Sequence, residues 1–576
     1  MDQGLGQGLT HVHGRSGGCR GGCRSAYRNP PYVRRWRIGG YGNPPYIRLR
    51  RLAGTLLPIL LVAGLLLTAC YRPEPTAPAG TPEVGSEGSS GSDDRSAPQD
   101  AATASAKVPT VVVTPSPAYP GTYAGTPTPN PTPMGHGGGP AVETYTVQAG
   151  ETLSLIASVY GCTVGEIVAA NGLASADSIA SGQSLRIPVA ATTTGPALKL
   201  VPDSELVYGP AAIHVDLERF VSQQGGYLDS YTEQVEGELR SGAEIVQLVA
   251  QRFSVGPRVL LALMEMRSGW VTQAQPDGGT LVYPLGHVQG SQEGLFSQLS
   301  WAAARLNEGY YGWKRGDRRT VRLTNGVRVG IAPQLNPGTA AVQNCLAGLA
   351  TGWDAWSAMV GPDGFASTYR ALFGSPFAYT VEPLVPEDLE QPELRLPWAA
   401  GETWYYTGGP HGGWGTGSGM AALDFVPGDK MLGCAPSSAW VTAAASGRVL
   451  RSENGEVIVD LDGDGFEQTG WVLLYLHIYQ EGRVEAGTYV ERGERIGHPS
   501  CEGGASEATH LHLARRYNGE WIPAGSGSCP MVLSGWTAHD GRMPYDGTMT
   551  RGSEERFARE MWSDDVNGLL SDNETP

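Results

Sequence analysis

The segment running from Ala508 to Arg516, ATHLHLARR, places two of the chain's 11 histidines one residue apart, at His510 and His512. On a β-strand, residues i and i+2 share a face. Both imidazoles then point into one site, while Leu511 points the other way into a core. That arrangement suits a metal site or a general base. Two solvated histidines on an edge strand are the alternative, so the meaning of the triplet depends on its partners.

The surrounding sequence reads as an antiparallel β domain over residues 398–545. Within it, AAASGRVLRSENGEVIVDLDGDG predicts a hairpin: Val449, a turn at Glu453-Asn454-Gly455, then Val457 and Val459. GWVLLYLHI predicts a strand that brings Leu473, Tyr475 and His477 onto one face. AGTYVERGERIGH predicts a further strand-turn pair. Upstream, GGPHGGWGTGSGMAALDF sets His411 and Asp424 apart by a spacer of Gly and small residues that is able to fold back. His411, Asp424 and one histidine of the triplet supply two imidazoles and a carboxylate. Three such ligands with one open position are the usual make-up of a catalytic zinc site. His477 stands ready as a second-sphere group.

Three motifs, HGGWGTGSGMAALDF, LLYLHI and THLHL, resemble in order those of the lysostaphin-type (LytM-like) zinc endopeptidases, over roughly 398–525. The long spacer is most similar to the β-lytic subgroup and departs from the short spacer of the wider family. The resemblance implies that His411, Asp424 and His512 hold Zn2+. It also implies that His477 and His510 are the unliganded histidines acting on the attacking water and the developing oxyanion. His498 and His539 match no motif and are expected at the surface. DLDGDG (Asp460, Asp462, Asp464, Gly465) is similar to the first half of a calcium loop. The twelfth position is Trp471, which cannot ligate, so an acidic hairpin tip is expected there.

At 576 residues the chain is too long for one core. A net charge of −16 argues against nucleic acid as a partner. The charge is uneven: residues 1–69 hold ten Arg and the single acid Asp2, leaving 31 basic and 56 acidic residues beyond them. RLRRLAGTLLPILLVAGLLLTAC has the basic start, apolar stretch and small residue of a secretory signal. Its last four residues, Leu67-Thr68-Ala69-Cys70, resemble the lipobox of bacterial lipoproteins. That resemblance implies cleavage before Cys70, a lipid on it, and a body exported on a membrane anchor facing the cell wall. Export permits disulfides, and one bridge among Cys434, Cys501 and Cys529 is expected, with its pairing open.

Residues 70–140, rich in Pro, Thr, Ser, Gly and Ala, cannot bury enough surface to offset chain entropy and are expected to form a tether. Fully stretched, such a segment spans on the order of 200 Å. Residues 144–190 then give a short strand, two helices and a strand. YTVQAGETLSLIA, the Asn171-Gly172-Leu173 step and SGQSLRIP are similar to the LysM module. The resemblance implies binding of N-acetylglucosamine-containing glycan through Gly150, Glu151, Thr152, Leu153, Asn171, Gly172 and Leu173. Thr152 and Asn171 also suit ordinary caps and turns.

Residues 200–385 are expected to be helical. Ile245, Leu248, Val249 and Phe253 share one helical face, and Pro257 opens a second helix. VAQRFSVGPRVLLALMEMRSGW resembles the start of lysozyme-like lytic transglycosylases. Arg267 stands where that family carries its catalytic Glu before Ser268-Gly269, and Arg cannot act as a raised-pKa carboxylic acid. Glu265 points elsewhere on a helix. A non-catalytic relative is expected here. Residues 546–576 are expected as a tail.

The fold class expected is therefore multidomain: a βααβ LysM module, a mainly helical middle region and an antiparallel all-β LytM-like peptidase domain. The function expected is a lipid-anchored, monomeric, zinc-dependent endopeptidase cutting peptidoglycan stems or cross-bridges, targeted by LysM. The alternative is a non-catalytic LytM-like activator of a peptidoglycan amidase in cell division. Such activators lack one or more zinc ligands, whereas every ligand position is filled here.

Overall fold

The computed structural model describes residues 141–147, 151–160, 162–189 and 193–572. The expected signal, Cys70, the tether and Gly150 lie outside the described residues.

In the first module, β1 (Ala141–Thr146) and β2 (Ser184–Val189) pair antiparallel, with Tyr145 opposite Leu185. Between them run α1 (Leu153–Tyr160) and α2 (Val164–Asn171). Thr163 caps α2 by accepting from the Glu166 N–H, and Glu166 accepts from the Thr163 N–H in return. Leu153, Ile156, Tyr160, Ile167, Leu185 and Ile187 close a small core. The module is tied to the helical region by its buried Glu143, which pairs with Arg328, and Arg328 also lies 3.8 Å from the centre of the Tyr160 ring.

The middle region is helical, as expected. It comprises α3 (Asp203–Leu206), α4 (Leu217–Gln224), α5 (Tyr227–Ser230), α6 (Gly242–Phe253), α7 (Pro257–Ser268) and α8 (Leu295–Arg315). After these come α9 (Pro337–Ala347), α10 (Trp353–Val360) and α11 (Phe365–Phe373). Two small hairpins interrupt the helices, β3 (Thr232–Val235) with β4 (Glu238–Ser241), and β5 (Thr320–Arg322) with β6 (Arg328–Gly330). Ser241 caps α6 through a capping box, and Pro257 occupies the first turn of α7. Ile245, Leu248, Val249 and Phe253 are all buried, as their spacing requires. The Glu265 carboxylate accepts from the Val271 and Thr272 N–H groups and the Thr272 hydroxyl. It therefore fixes the chain beyond α7.

The C-terminal domain is built on a nine-stranded antiparallel sheet. Its strands are β7 (Thr403–His411), β8 (Ala422–Val426), β10 (Gly447–Glu453), β11 (Glu456–Asp460), β12 (Trp471–Leu476), β13 (Tyr489–Val490), β15 (Leu511–Tyr517), β16 (Glu520–Trp521) and β21 (Gly568–Leu570). Their order is β13-β10-β11-β12-β15-β8-β7-β21, with β16 on β15. β9 (Val441–Thr442) pairs with β14 (Arg495–Gly497), and β17 (Val532–Leu533), β18 (Trp536–Asp540), β19 (Gly547–Arg551) and β20 (Glu554–Phe557) make a second sheet.

The β10–β11 hairpin forms as predicted. Asn454 and Gly455 both take positive φ, the backbone a tight right-twisted hairpin needs. Three expectations are corrected. Residues 546–572 are not a tail, because β19, β20 and β21 fold onto the domain and β21 pairs with β7. The expected strand-turn pair at 486–498 is split, since β13 pairs with β10 and β14 with β9. His477 does not share the face of Leu473 and Tyr475. It follows the end of β12 with φ 67°, which breaks the alternation and swings its ring out of the core.

The large sheet has two faces. On one, Leu423, Phe425, Val457, Val459, Leu473, Tyr475, Leu511 and Leu513 form the domain's own core. On the other, Ala422, Ile458, Leu474, Leu476, Ala514 and Trp521 join the core of the helical region. Asp424 and His512 alternate with Leu423, Leu511 and Leu513, so they belong to the face that the helical region covers.

Candidate active site

Three strands deliver the polar residues. His411 ends β7, Asp424 lies within β8, and His512 lies within β15. The strands are adjacent, and His512 is the register partner of Asp424. β7 bulges beside Asp424, where Gly408 passes so close that a Cβ would stand 2.4 Å from the carboxylate Oδ2. Only a glycine leaves the carboxylate its place. His411, Asp424 and His512 are all buried.

The ligand atoms converge. Asp424 Oδ1 lies 3.3 Å from His411 Nε2 and 3.2 Å from His512 Nδ1, and the two ring nitrogens are 3.0 Å apart. The outer nitrogens fix the tautomers. His411 Nδ1 donates to the Gly409 carbonyl at 2.8 Å, and His512 Nε2 donates to the Gly413 carbonyl at 3.1 Å. With the outer N–H so committed, each ring turns its inner nitrogen toward the other ring and a carboxylate oxygen. Asp424 Oδ1 is buried without a hydrogen-bond donor among the described residues. Burial would raise the Asp424 carboxyl, but His411 and His510 beside it hold it well below the usual carboxylate range. Burial pushes His512 down, which keeps it neutral. Three ligand-type atoms converging on one point, one of them a buried carboxylate oxygen without a donor, fit a cation, and two imidazoles with one carboxylate fit zinc. The carbonyl bonds behind each histidine are the outer partners such a site requires.

The remaining two histidines flank this cluster. His510 lies just before β15, with Nε2 3.7 Å from Asp424 Oδ1 and Nδ1 donating to the Ala508 carbonyl at 2.8 Å. The His477 ring centre is 4.5 Å from that of His510, and its Nδ1 donates to the Glu502 carbonyl at 3.0 Å. Both rings thus carry a bare Nε2. Burial, with His510 and His512 nearby, pushes His477 down to about 3. A buried histidine at positive φ is strained backbone of the kind that clusters at working sites.

The two segments behind these rings are joined by a disulfide between Cys434 and Cys501. Ser500, next to Cys501, donates both its N–H and its hydroxyl to the His477 carbonyl. Gly433, next to Cys434, accepts from the Thr509 N–H. Cys529 is free and buried.

The structure thus brings together all five residues of the expected site. It adds Tyr545, whose ring stacks on His411 with centres 4.1 Å apart and whose φ is 70°. No motif marked Tyr545, because it comes from the segment expected to end the domain. The half-buried His498 ring lies tilted against Trp440 with its Nδ1 on the Ala439 carbonyl, apart from the cluster, and His539 pairs with the Thr550 hydroxyl at the surface. The acidic tip is a turn in which Asp460 accepts from the N–H groups of Asp462, Gly463 and Gly465.

In the first module the expected glycan contacts divide. Leu153 is buried in the core, and the Asn171 amide bonds the Ile167 and Arg186 backbone, so both side chains serve the module's interior. Glu151 accepts from the Tyr145 hydroxyl, and Thr152 accepts from the Leu155 N–H. Thr152 and Gly172 are exposed, and Leu173 is half-buried.

Comparison with known proteins follows this division. Residues 145–188 match the LysM domain, residues 199–385 the N-terminal domain of LasA, and residues 432–523 peptidase family M23. The match over the helical region is thus to a LasA domain, where the sequence had suggested a lysozyme-like relative. Protease LasA of Pseudomonas aeruginosa strain UCBPP-PA14 is 27% identical over 348 residues, covering 57% of this chain and 76% of that protein. Protease LasA of strain PAO1 is 27% identical over 340 residues, covering 56% and 74%. Among solved structures, the M23 metalloprotease pseudoalterin from the deep sea is 24% identical, with a TM-score of 0.25, covering 31% of this chain and 99% of its own. The M23 match contains His477, His510 and His512, and the strand pairing adds His411 and Asp424 from before it. The chain is therefore multidomain, with a first module that matches the LysM domain, a helical middle region and a C-terminal antiparallel all-β domain that matches peptidase family M23.

Proposed function

We propose that the chain is a zinc-dependent endopeptidase of peptidoglycan, anchored through a lipid on Cys70 and held on glycan by its LysM module. The observation that carries this reading is the convergence of His411 Nε2, Asp424 Oδ1 and His512 Nδ1 beside two further imidazoles with bare Nε2 atoms. The name of the two relatives, Protease LasA, agrees with it.

His411, Asp424 and His512 would hold the ion. When bound, zinc supplies a Lewis acid that acidifies water and polarises the scissile carbonyl. The chain's own residues supply the proton handling. His510, with its Nδ1–H committed to Ala508, offers Nε2 to the proton of the attacking water. His477 is kept neutral at rest by burial. Its bare Nε2, on the ring beside His510, would take over the proton that His510 removes from the water and hand it to the leaving amine, so one proton leaves the water and one arrives at the amine.

The amidase-activator reading needs an incomplete ligand set, and the set here is complete. The test is digestion of purified peptidoglycan by the full chain, with mass analysis of the released fragments. Peptide-bond cleavage products support the endopeptidase. Intact stems, together with faster release of stems by an added amidase, would make it an activator.

A further inference from the structure

The loop 412–419 joins the ligand strands β7 and β8 and carries five glycines in eight residues, so it has little stiffness of its own. Its shape is imposed by its neighbours. Gly413 lies flat on the buried Trp521 indole, where a Cβ would stand 2.4 Å from the ring. That indole donates to the Phe253 carbonyl at the end of α6, and the Trp521 N–H donates to the Tyr311 hydroxyl of α8. The Trp414 ring lies beneath the Arg252 guanidinium of α6, 5.1 Å from its centre. Arg252 is itself buried and fixed by Glu456 at 2.7 Å and Glu236 at 2.8 Å. Gly417, at φ 87°, backs onto α8, where a Cβ would stand 2.6 Å from the Ala304 carbonyl oxygen and 2.9 Å from the Glu308 nitrogen.

What this loop presents to the site is the Gly413 carbonyl, which accepts the His512 Nε2–H and so sets the tautomer of a ligand. We propose that the helical region is a positioning element of the metal centre. Arg252 through Trp414, and α8 through Gly417, hold the 412–419 loop so that the Gly413 carbonyl orients His512. This rests on the reading of His411, Asp424 and His512 as zinc ligands. Arg252, Trp414 and Gly417 are positioning residues, since none touches the ligand atoms.

The test is the zinc affinity of the full chain, read by competition with a chromophoric chelator, alongside the melting temperature of the metal-free protein. Gly417→Ala pushes the loop off α8 without stranding a charge. Trp414→Ala removes the ring under Arg252, and Trp414→Phe keeps an aromatic face there. Ser254→Ala is the control, because its hydroxyl donates to the Gly519 carbonyl across the same interface but away from the loop. The expected result is about tenfold weaker zinc binding in Gly417→Ala and Trp414→Ala, recovery in Trp414→Phe, and unchanged affinity in Ser254→Ala despite a lower melting temperature. Affinities within about twofold of the parent in both loop variants, or an equal loss in Ser254→Ala, would overturn the positioning role alone. A parent chain that binds no zinc would overturn both this role and the ligand assignment.

Discussion

His512 and Asp424 are register partners on adjacent antiparallel strands, and their Nδ1 and Oδ1 atoms stand 3.2 Å apart with no proton to share. The carboxylate is anionic and the imidazole neutral. A cation held between the two atoms would satisfy both. Asp424→Ala removes one of the three proposed ligands and leaves the core face of β8 untouched. Zinc affinity is expected to fall by more than the roughly 10–100-fold typical of losing an outer partner. Chelator competition on the folded variant checks this. Affinity equal to the parent would show that Asp424 is not a ligand.

His510→Ala and His477→Ala separate proton handling from metal binding. Neither removes a ligand atom, so zinc content is expected to stay at the parent's level. Cleavage is expected to slow by about 10²–10⁴-fold in each. Metal analysis and rate measurement on the same samples check both halves. Loss of zinc in His510→Ala would move that residue into the ligand set.

The Cys434–Cys501 bridge closes a loop of 67 residues and ties together the segments behind His477 and His510. Replacing both cysteines by serine is expected to cost about 2–4 kcal/mol of stability. Cleavage is expected to slow while zinc stays bound, because β7, β8 and β15 carry the ligands without help from the bridge. Denaturant unfolding and metal content are the readouts. Metal loss in the double variant would contradict this division.

Asp203, buried under α9, accepts from the Gly338 N–H and the Asn336 amide, yet burial pushes its carboxyl up to about 7. The folded protein therefore holds a proton that the unfolded chain releases near pH 4. Between those values the folded state binds more protons, so stability from this group is full below about pH 4 and is lost as pH rises through about 7. Asp203→Asn keeps the acceptor oxygen and removes the titration. The difference in unfolding free energy between variant and parent is expected to grow by a few kcal/mol from about pH 4 to 7.5, in favour of the variant. A constant difference would show that Asp203 titrates normally.

Much of the site was legible because strands have a period of two. The His-Leu-His triplet announced two rings on one face and a leucine in the core: β15 carries Leu511 and His512, and His510 stands just before it on the same side as His512. The Glu453-Asn454-Gly455 turn announced its hairpin through residues that tolerate positive φ. His477 was read onto the wrong face, because a left-handed backbone at a histidine leaves no trace in an alternating pattern. Tyr545 was invisible, since its place against His411 depends on strands folding back from the chain's far end. The reach of the helical region was hidden too. Ala422, Leu474 and Ala514 read as one more buried face, and nothing in their order says that helices from residues 242–315 cover it.

The most direct test of the central claim is the appearance of new amino termini in peptidoglycan digested by the full chain, before chelation, after chelation and after zinc is restored. The account predicts termini that form, cease to form when the metal is removed, and form again when zinc returns. Termini that never form, or that form equally without metal, would contradict it.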